Sequence, residues 1–289
     1  MPLHSYGTSG GLSVASRYGA LQRVFNDKLR EWHWQRSTGT MFQVWQPPGV
    51  IFGCLKKEHY AHGRKVPAWE DWGFGDRKVP CRLVIRALAG RWILWKAMQQ
   101  RQESWILADG DDSHLFNAFL GAMDFYNFDA LEPEGSFPNL RLLYAHARTS
   151  MDFFPPFSLR SIHVHLPWAE RTSKPKRAAL ISPKFIVDAS NVLEARGEFH
   201  IVADDEELMQ QACACLTKSR LFGPSLPFPF HVEGLPASYP GEDRLRADQQ
   251  IVTGRKSSSP LFYSAWEKRP PQHPNFRFKG GATPTLLEE

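Results

Sequence analysis

The densest group of side chains able to do chemistry is Asp109-Gly110-Asp111-Asp112, three carboxylates around one glycine. Carboxylates so spaced suit a hard cation such as calcium, but a calcium loop also needs glycine at its sixth position and glutamate at its twelfth. His114 and Leu120 hold those places, so the stretch reads as a solvated turn that caps a following helix. Cys54, His59 and His62 carry zinc-type side chains, yet no Cys-x-x-Cys pair accompanies them, and no metal site is expected. His146 stands apart from other catalytic-type side chains in the sequence and reads as a structural histidine. Arg171, Lys174, Lys176 and Arg177 form a cationic loop suited to phosphates, with a solvated charge run as the plainer reading. Asp204 closes the apolar run Phe199-His200-Ile201-Val202-Ala203, which would bring its carboxylate to the end of a strand.

The elements that must position these groups follow from pattern. Gly7 to Gly11 is loop-like, and Tyr18, Leu21, Phe25 and Leu29 recur at helical spacing, which predicts a helix over residues 15–35. Residues 36–80, rich in Pro, Gly and Trp, have no sustained period and read as an irregular wrapping segment. Leu83, Ile85, Leu88, Trp92, Trp95 and Met98 predict one helix from Arg82 to Gln102, packed on a sheet with its arginines reaching out to solvent. Beyond it, short apolar runs alternate with helical stretches, the pattern of an α/β fold. Strands are expected at Trp105–Ala108, within Phe125–Leu131, at Leu140–Tyr144, Ser161–Val164, Glu198–Val202 and Leu261–Trp266. Helices are expected at Ser113–Met123, Pro183–Leu193 and Glu206–Leu216. The chain divides into a basic extension (1–102), a folded domain (103–269) and a Pro- and Gly-containing tail (270–289).

Charge is distributed unevenly. The net charge of +5 over 289 residues hides 16 Lys/Arg against 6 Asp/Glu in residues 1–102, where 7 of the 10 tryptophans also lie. Cations neutralise phosphates and aromatic faces stack on bases, so this mixture suits RNA; a Trp-stapled structural arm is the alternative. Four cysteines in a chain this long give no disulfide framework and fit a reducing compartment. No apolar run reaches the ~20 residues that span a bilayer, so no membrane partner is expected. Residues 1–26 contain no Asp or Glu but several Ser and Arg, the composition of a mitochondrial presequence; a cytoplasmic location is the alternative.

The order Asn139-Leu-Arg-Leu-Leu, then His165-Leu166-Pro167-Trp168, then the basic loop, then Ala203-Asp204 resembles the TrmB-type tRNA (guanine-N7) methyltransferases. In that family a strand ends in Pro-Asp-Pro-Trp, a Lys/Arg/His-rich loop follows, and a later strand ends in Thr-Asp. The resemblance covers residues 103–269 and implies a Rossmann-like methyltransferase sheet flanked by helices. It places S-adenosylmethionine at Gly110 and Asp111, where the family has Glu-Ile-Gly-x-Gly-x-Gly, with Glu132 on the ribose and His146-Ala147 in place of Asp-Ala beside the adenine. It assigns RNA contact to Arg171, Lys174, Lys176, Arg177 and Asp204, with Trp168 near Asp204.

The departures bear on chemistry. Leu166 replaces the carboxylate beside the reacting guanine, one glycine is left in the turn expected after Leu107, and no Thr-x-x-Glu clasp is recognisable between Tyr239 and Arg255. The reading expected is therefore a non-catalytic, methyltransferase-like RNA-binding protein, with no catalytic residue and no cofactor. It would be a structural component or assembly factor of a ribonucleoprotein such as a mitochondrial ribosome, with RNA and particle proteins as partners. The alternative is an active, divergent guanine-N7 methyltransferase using S-adenosylmethionine; a small-molecule methyltransferase is disfavoured by the basic loop and arm.

Overall fold

The computed structural model describes residues 23, 44–45, 80–86, 90–124, 139–148, 150–166, 180–253 and 260–270. The expectations for residues 15–35, for most of 36–80, for the strand within Phe125–Leu131 and for the tail lie outside these residues, as do Cys54, His59 and His62.

A nine-stranded sheet organises the described chain: β1 (Val44–Trp45), β2 (Cys81–Ile85), β3 (Ser104–Asp109), β4 (Leu140–Tyr144), β5 (Leu159–His165), β6 (Leu193–Ala203), β7 (Phe222–Pro224), β8 (Val232–Glu233) and β9 (Phe262–Lys268). Its order is β1-β4-β3-β2-β5-β6-β9-β7, with β8 also paired to β9. Strands β4, β3, β2, β5 and β6 are mutually parallel, while β9 runs antiparallel to β6 and β1 antiparallel to β4. The helices are α1 (Arg91–Gln99), α2 (Asp112–Asp124), α3 (Pro183–Val192), α4 (Glu206–Ser219) and α5 (Glu242–Thr253). This is the Rossmann-like α/β sheet expected. None of the described helices is long and apolar enough to cross a membrane.

The single helix expected from Arg82 to Gln102 is corrected to strand β2, a turn and the shorter helix α1. Leu83, Val84 and Ile85 are all fully buried because a central parallel strand is covered on both faces. Such a continuous apolar run fits either period, and the β-branched pair followed by Gly90 settles it as a strand. The sheet therefore begins before residue 103, and its middle strand is supplied by the stretch expected to be extension. Strands β3–β6, α3 and α4 lie where expected, each within a few residues or longer, and β9 extends the expected last strand to Lys268.

Alternation along the strands sorts side chains to two faces. Leu83, Ile85, Ile106, Ile162, Phe199 and Ile201 pack in the cluster that includes α3 and α4 residues, whereas Val84, Trp105, Leu107 and Val202 pack with α1, α2 and Leu245 of α5. Asn139, just before β4, donates from Nδ2 to the carbonyls of Ala97, Gln100 and Glu103, satisfying backbone at and just beyond the end of α1.

Gly90 seats α1. It has φ of 79°, and a Cβ there would lie 2.6 Å from Cβ of Ala118 on α2. Gly90→Ala is expected to lower unfolding free energy by about 2 kcal/mol or more, through left-handed strain plus overpacking. In denaturant titrations the double variant Gly90→Ala/Ala118→Gly should recover part of that loss; equal stability of wild type and Gly90→Ala would contradict the packing.

Candidate functional site

In an open α/β sheet the binding crevice lies at the carboxyl ends of the strands where the order reverses. Here β2 has β3 and β4 on one side and β5 and β6 on the other, so the reversal lies between β2 and β5. The chain leaves β2 at Arg86, whose φ is 60° and whose N–H donates to the Ala108 carbonyl at 3.0 Å, and α1 begins after left-handed Gly90. Laid on Val84–Gly90, the family's Glu-Ile-Gly-x-Gly-x-Gly keeps Ile85 and the last glycine and puts Arg86 and Leu88 at the other two. This shifts the correspondence by one strand: Gly110 and Asp111 follow the second parallel strand, and Asp109, not Glu132, ends it. Glu132 lies outside the described residues. Ile85 to Gly90 ahead of an apolar helix was the available sequence signal.

A helix start leaves backbone N–H groups without intrahelical acceptors, and Gly90 has no side chain to cap them. The acceptor comes from α5. Asp248, fully buried, takes the Arg91 N–H on Oδ1 at 2.9 Å and the Trp92 N–H on Oδ2 at 3.2 Å. Burial pushes its pKa up to about 7, against these two hydrogen bonds and the charge of Arg91. The next residue, Gln249, donates from Nε2 to Oδ2 of Asp204 at 2.6 Å. One helix thus ties the start of α1 to the end of β6.

At the end of β3, buried Asp109 accepts the Asp111 N–H at 3.0 Å, and its other oxygen lies 3.0 Å from Nδ1 of His114. Burial disfavours the imidazolium, but the hydrogen bond and charge of Asp109 outweigh it and raise the His114 pKa. Asp111 takes the Ser113 N–H and hydroxyl, so the acidic turn is the helix cap expected of it. Exposed His146, after β4, crosses this turn: a Cβ on Gly110 would lie 2.8 Å from its Nδ1. Gly110, Asp111 and His146 are therefore together, one strand removed from the start of α1. Among the described residues no group of three or more His, Cys, Asp or Glu could hold a metal ion.

At the end of β5, Leu166 has φ of 46°, donates its N–H to the Val202 carbonyl at 2.7 Å and is buried in the cluster beneath α1 and α5. That bond places the ends of β5 and β6 side by side. Trp168, Arg171, Lys174, Lys176 and Arg177 lie outside the described residues, so the expected closeness of Trp168 and Asp204 does too.

Behind the crevice lies a network that sequence reading missed. Glu103 pairs with Arg82 of β2, Arg82 donates to Ser161 Oγ at 3.0 Å, and Ser161 lies 2.8 Å from Nε2 of His163. The hydroxyl of Tyr239 then joins His163 Nδ1 at 3.0 Å to His165 Nε2 at 2.8 Å. Arg82 can only donate, whereas the Ser161 and Tyr239 hydroxyls can each both donate and accept, so the chain of contacts runs unbroken from Glu103 to His165 Nε2 and leaves His165 Nδ1 at its end. That nitrogen has no hydrogen-bond partner among the described residues. Its ring meets Trp92 edge-on at 4.7 Å. Burial, with His200 nearby, pushes the His165 pKa down to about 3 and lowers that of His163 well below the usual value.

S-adenosylmethionine would bring a carboxylate to be met by free N–H groups and a ribose to be met by a free carboxylate. The N–H groups of Arg91 and Trp92 and both oxygens of Asp109 already have partners within the chain, so a cofactor carboxylate at the first two amides of α1 would have to displace Asp248.

Residues 126–224 match the sequence model of a family described as "Putative methyltransferase". The resemblance to the TrmB-type methyltransferases is borne out over that stretch. Among solved structures, the chain is similar to the 16S rRNA methyltransferase KamB at 14% identity, over 71% of this chain and 95% of that one, with a TM-score of 0.49. It is also similar to the aminoglycoside resistance methyltransferase NpmB1 at 14% identity, over 79% of this chain and 100% of that one, with a TM-score of 0.44. No curated protein matches the sequence.

The buried histidines set a pH dependence. Between the ordinary value of 6.5 and about 3, the unfolded chain protonates His165 while the folded protein does not. Its stabilising contribution is thus complete above 6.5 and is lost as pH falls through that window. The unfolding free energy of wild type relative to His165→Gln should fall by up to about 1.4 kcal/mol per pH unit between pH 6 and 4. Asp248 is common to both proteins and cancels; parallel profiles would contradict the neutral, buried His165.

Proposed function

We propose that this chain is a methyltransferase-fold RNA-binding protein that does not transfer methyl groups and serves as a structural component or assembly factor of a ribonucleoprotein, in a mitochondrial ribosome. The observation that carries this reading is Leu166. It occupies the position of the family's base-side carboxylate and is turned into the core with 3% exposure. Guanine N7 is already a nucleophile, so the enzyme's task is to align it with the sulfonium and to hold the base. Leucine can neither accept a hydrogen bond nor take a proton, and Asp204, the remaining acid at that edge, is held by Gln249. Support for RNA as the partner comes from the net +10 of residues 1–102, from their tryptophans and from Arg171, Lys174, Lys176 and Arg177.

Two measurements test this. A methyl-transfer assay on unmodified tRNA and rRNA should give no incorporation; turnover that Asp204→Ala abolishes would establish the divergent guanine-N7 methyltransferase instead. RNA affinity should fall steeply with salt, and deletion of residues 1–79, which spares β2, should flatten the slope of log K against log salt by about 0.7 for each phosphate that the shortened protein leaves unneutralised. An unchanged slope would remove the basic extension from the RNA interface.

A further inference from the structure

Three contacts converge on α5. Asp248 holds the first two N–H groups of α1, and Gln249 beside it holds Asp204 after β6. At its start the helix is seated against the same α1: Trp92 Nε1 donates to the Pro240 carbonyl at 3.1 Å. Gly241, with φ of 107°, leaves no room for a Cβ, which would lie 2.9 Å from Trp92 and 3.1 Å from Trp95. A remote helix cap would need only the first contact. The second reaches the strand on the far side of β5, and so spans the switch point.

We propose that α5 is an intramolecular plug, in which the Asp248 carboxylate stands in for an external anion at the start of α1 and Gln249 closes the β6 side of the crevice. Helix N-termini favour carboxylates and phosphates through their N–H groups and dipole. Asp248 supplies those acceptor oxygens at a fixed position, paired with their donors as the chain folds, so any external carboxylate or phosphate must first displace it. The proposal rests on the reading that the crevice takes no cofactor, and names the element that keeps it closed.

Chemical rescue tests it. Asp248→Gly should melt about 5 °C lower than wild type, and sodium formate should raise its midpoint by several degrees more than sodium chloride at equal ionic strength. Wild type should respond to the two salts alike. A variant as stable as wild type, or one that formate and chloride affect equally, would overturn the plug. Should the variant fail to fold, hydrogen exchange of the native protein decides: the Arg91 and Trp92 amides should be protected at least about a hundredfold, and free exchange there would overturn it. Added S-adenosylmethionine that stabilises wild type would count against the cofactor-free reading, independently of whether formate rescues the variant.

Discussion

The first turn of α1 presents backbone N–H groups in a buried setting, preceded by a glycine that cannot cap them, and the rest of the crevice is arranged around their need for an acceptor. A protein that binds an anionic ligand at such a terminus leaves the acceptor's place to the ligand. Here Asp248 fills it from 157 residues away in sequence. That carboxylate is wholly buried and its two hydrogen bonds offset only part of the desolvation, so neither can be given up, which fixes α5 in position and in register. Gln249 is then presented to Asp204, and Gly241 must approach Trp92 closely enough to exclude any side chain.

The same logic governs the polar seam behind the crevice. Ser161, His163 and His165 point to one face of β5, where they are covered by Trp92 and Tyr239. Three polar side chains on a buried strand face are tolerable only if bonded. Tyr239 bonds one nitrogen of each histidine with one hydroxyl, and Arg82 with Glu103 closes the other end. The result is a row of two buried imidazoles whose charged forms burial disfavours. It packs against the residue that follows the Asp248-held amide of Arg91, so the seam and the plug share Trp92.

Much of the sheet was legible because β3 to β6 each contain a short apolar run, with helices between β3 and β4 and between β5 and β6, and a burial pattern of that kind survives in one-dimensional form. β2 was not, since Leu83, Val84 and Ile85 are apolar on both faces and the following tryptophans continue the spacing of a helix. That one misplaced element shifted the expected turn after the first parallel strand from the end of β2 to Asp109–Ser113, and the acid expected at the end of the second strand from Asp109 to Glu132. Leu166 and Asp204 were read correctly as strand-end positions because the order of motifs around them is specific. The partners of Asp109, Asp204 and the first turn of α1 could not be read at all. Asp248 and Gln249 sit in a polar stretch whose meaning depends on how α5 packs, and no local pattern encodes contacts made across such distances in sequence.

The central claim is that the chain's own side chains occupy the crevice of this Rossmann-like sheet. Titration calorimetry of the full-length wild-type protein with S-adenosylhomocysteine at neutral pH tests it most directly, since this ligand carries the carboxylate and ribose that the crevice would have to receive. The account predicts no saturable heat up to millimolar ligand. Stoichiometric binding with a micromolar dissociation constant would contradict it.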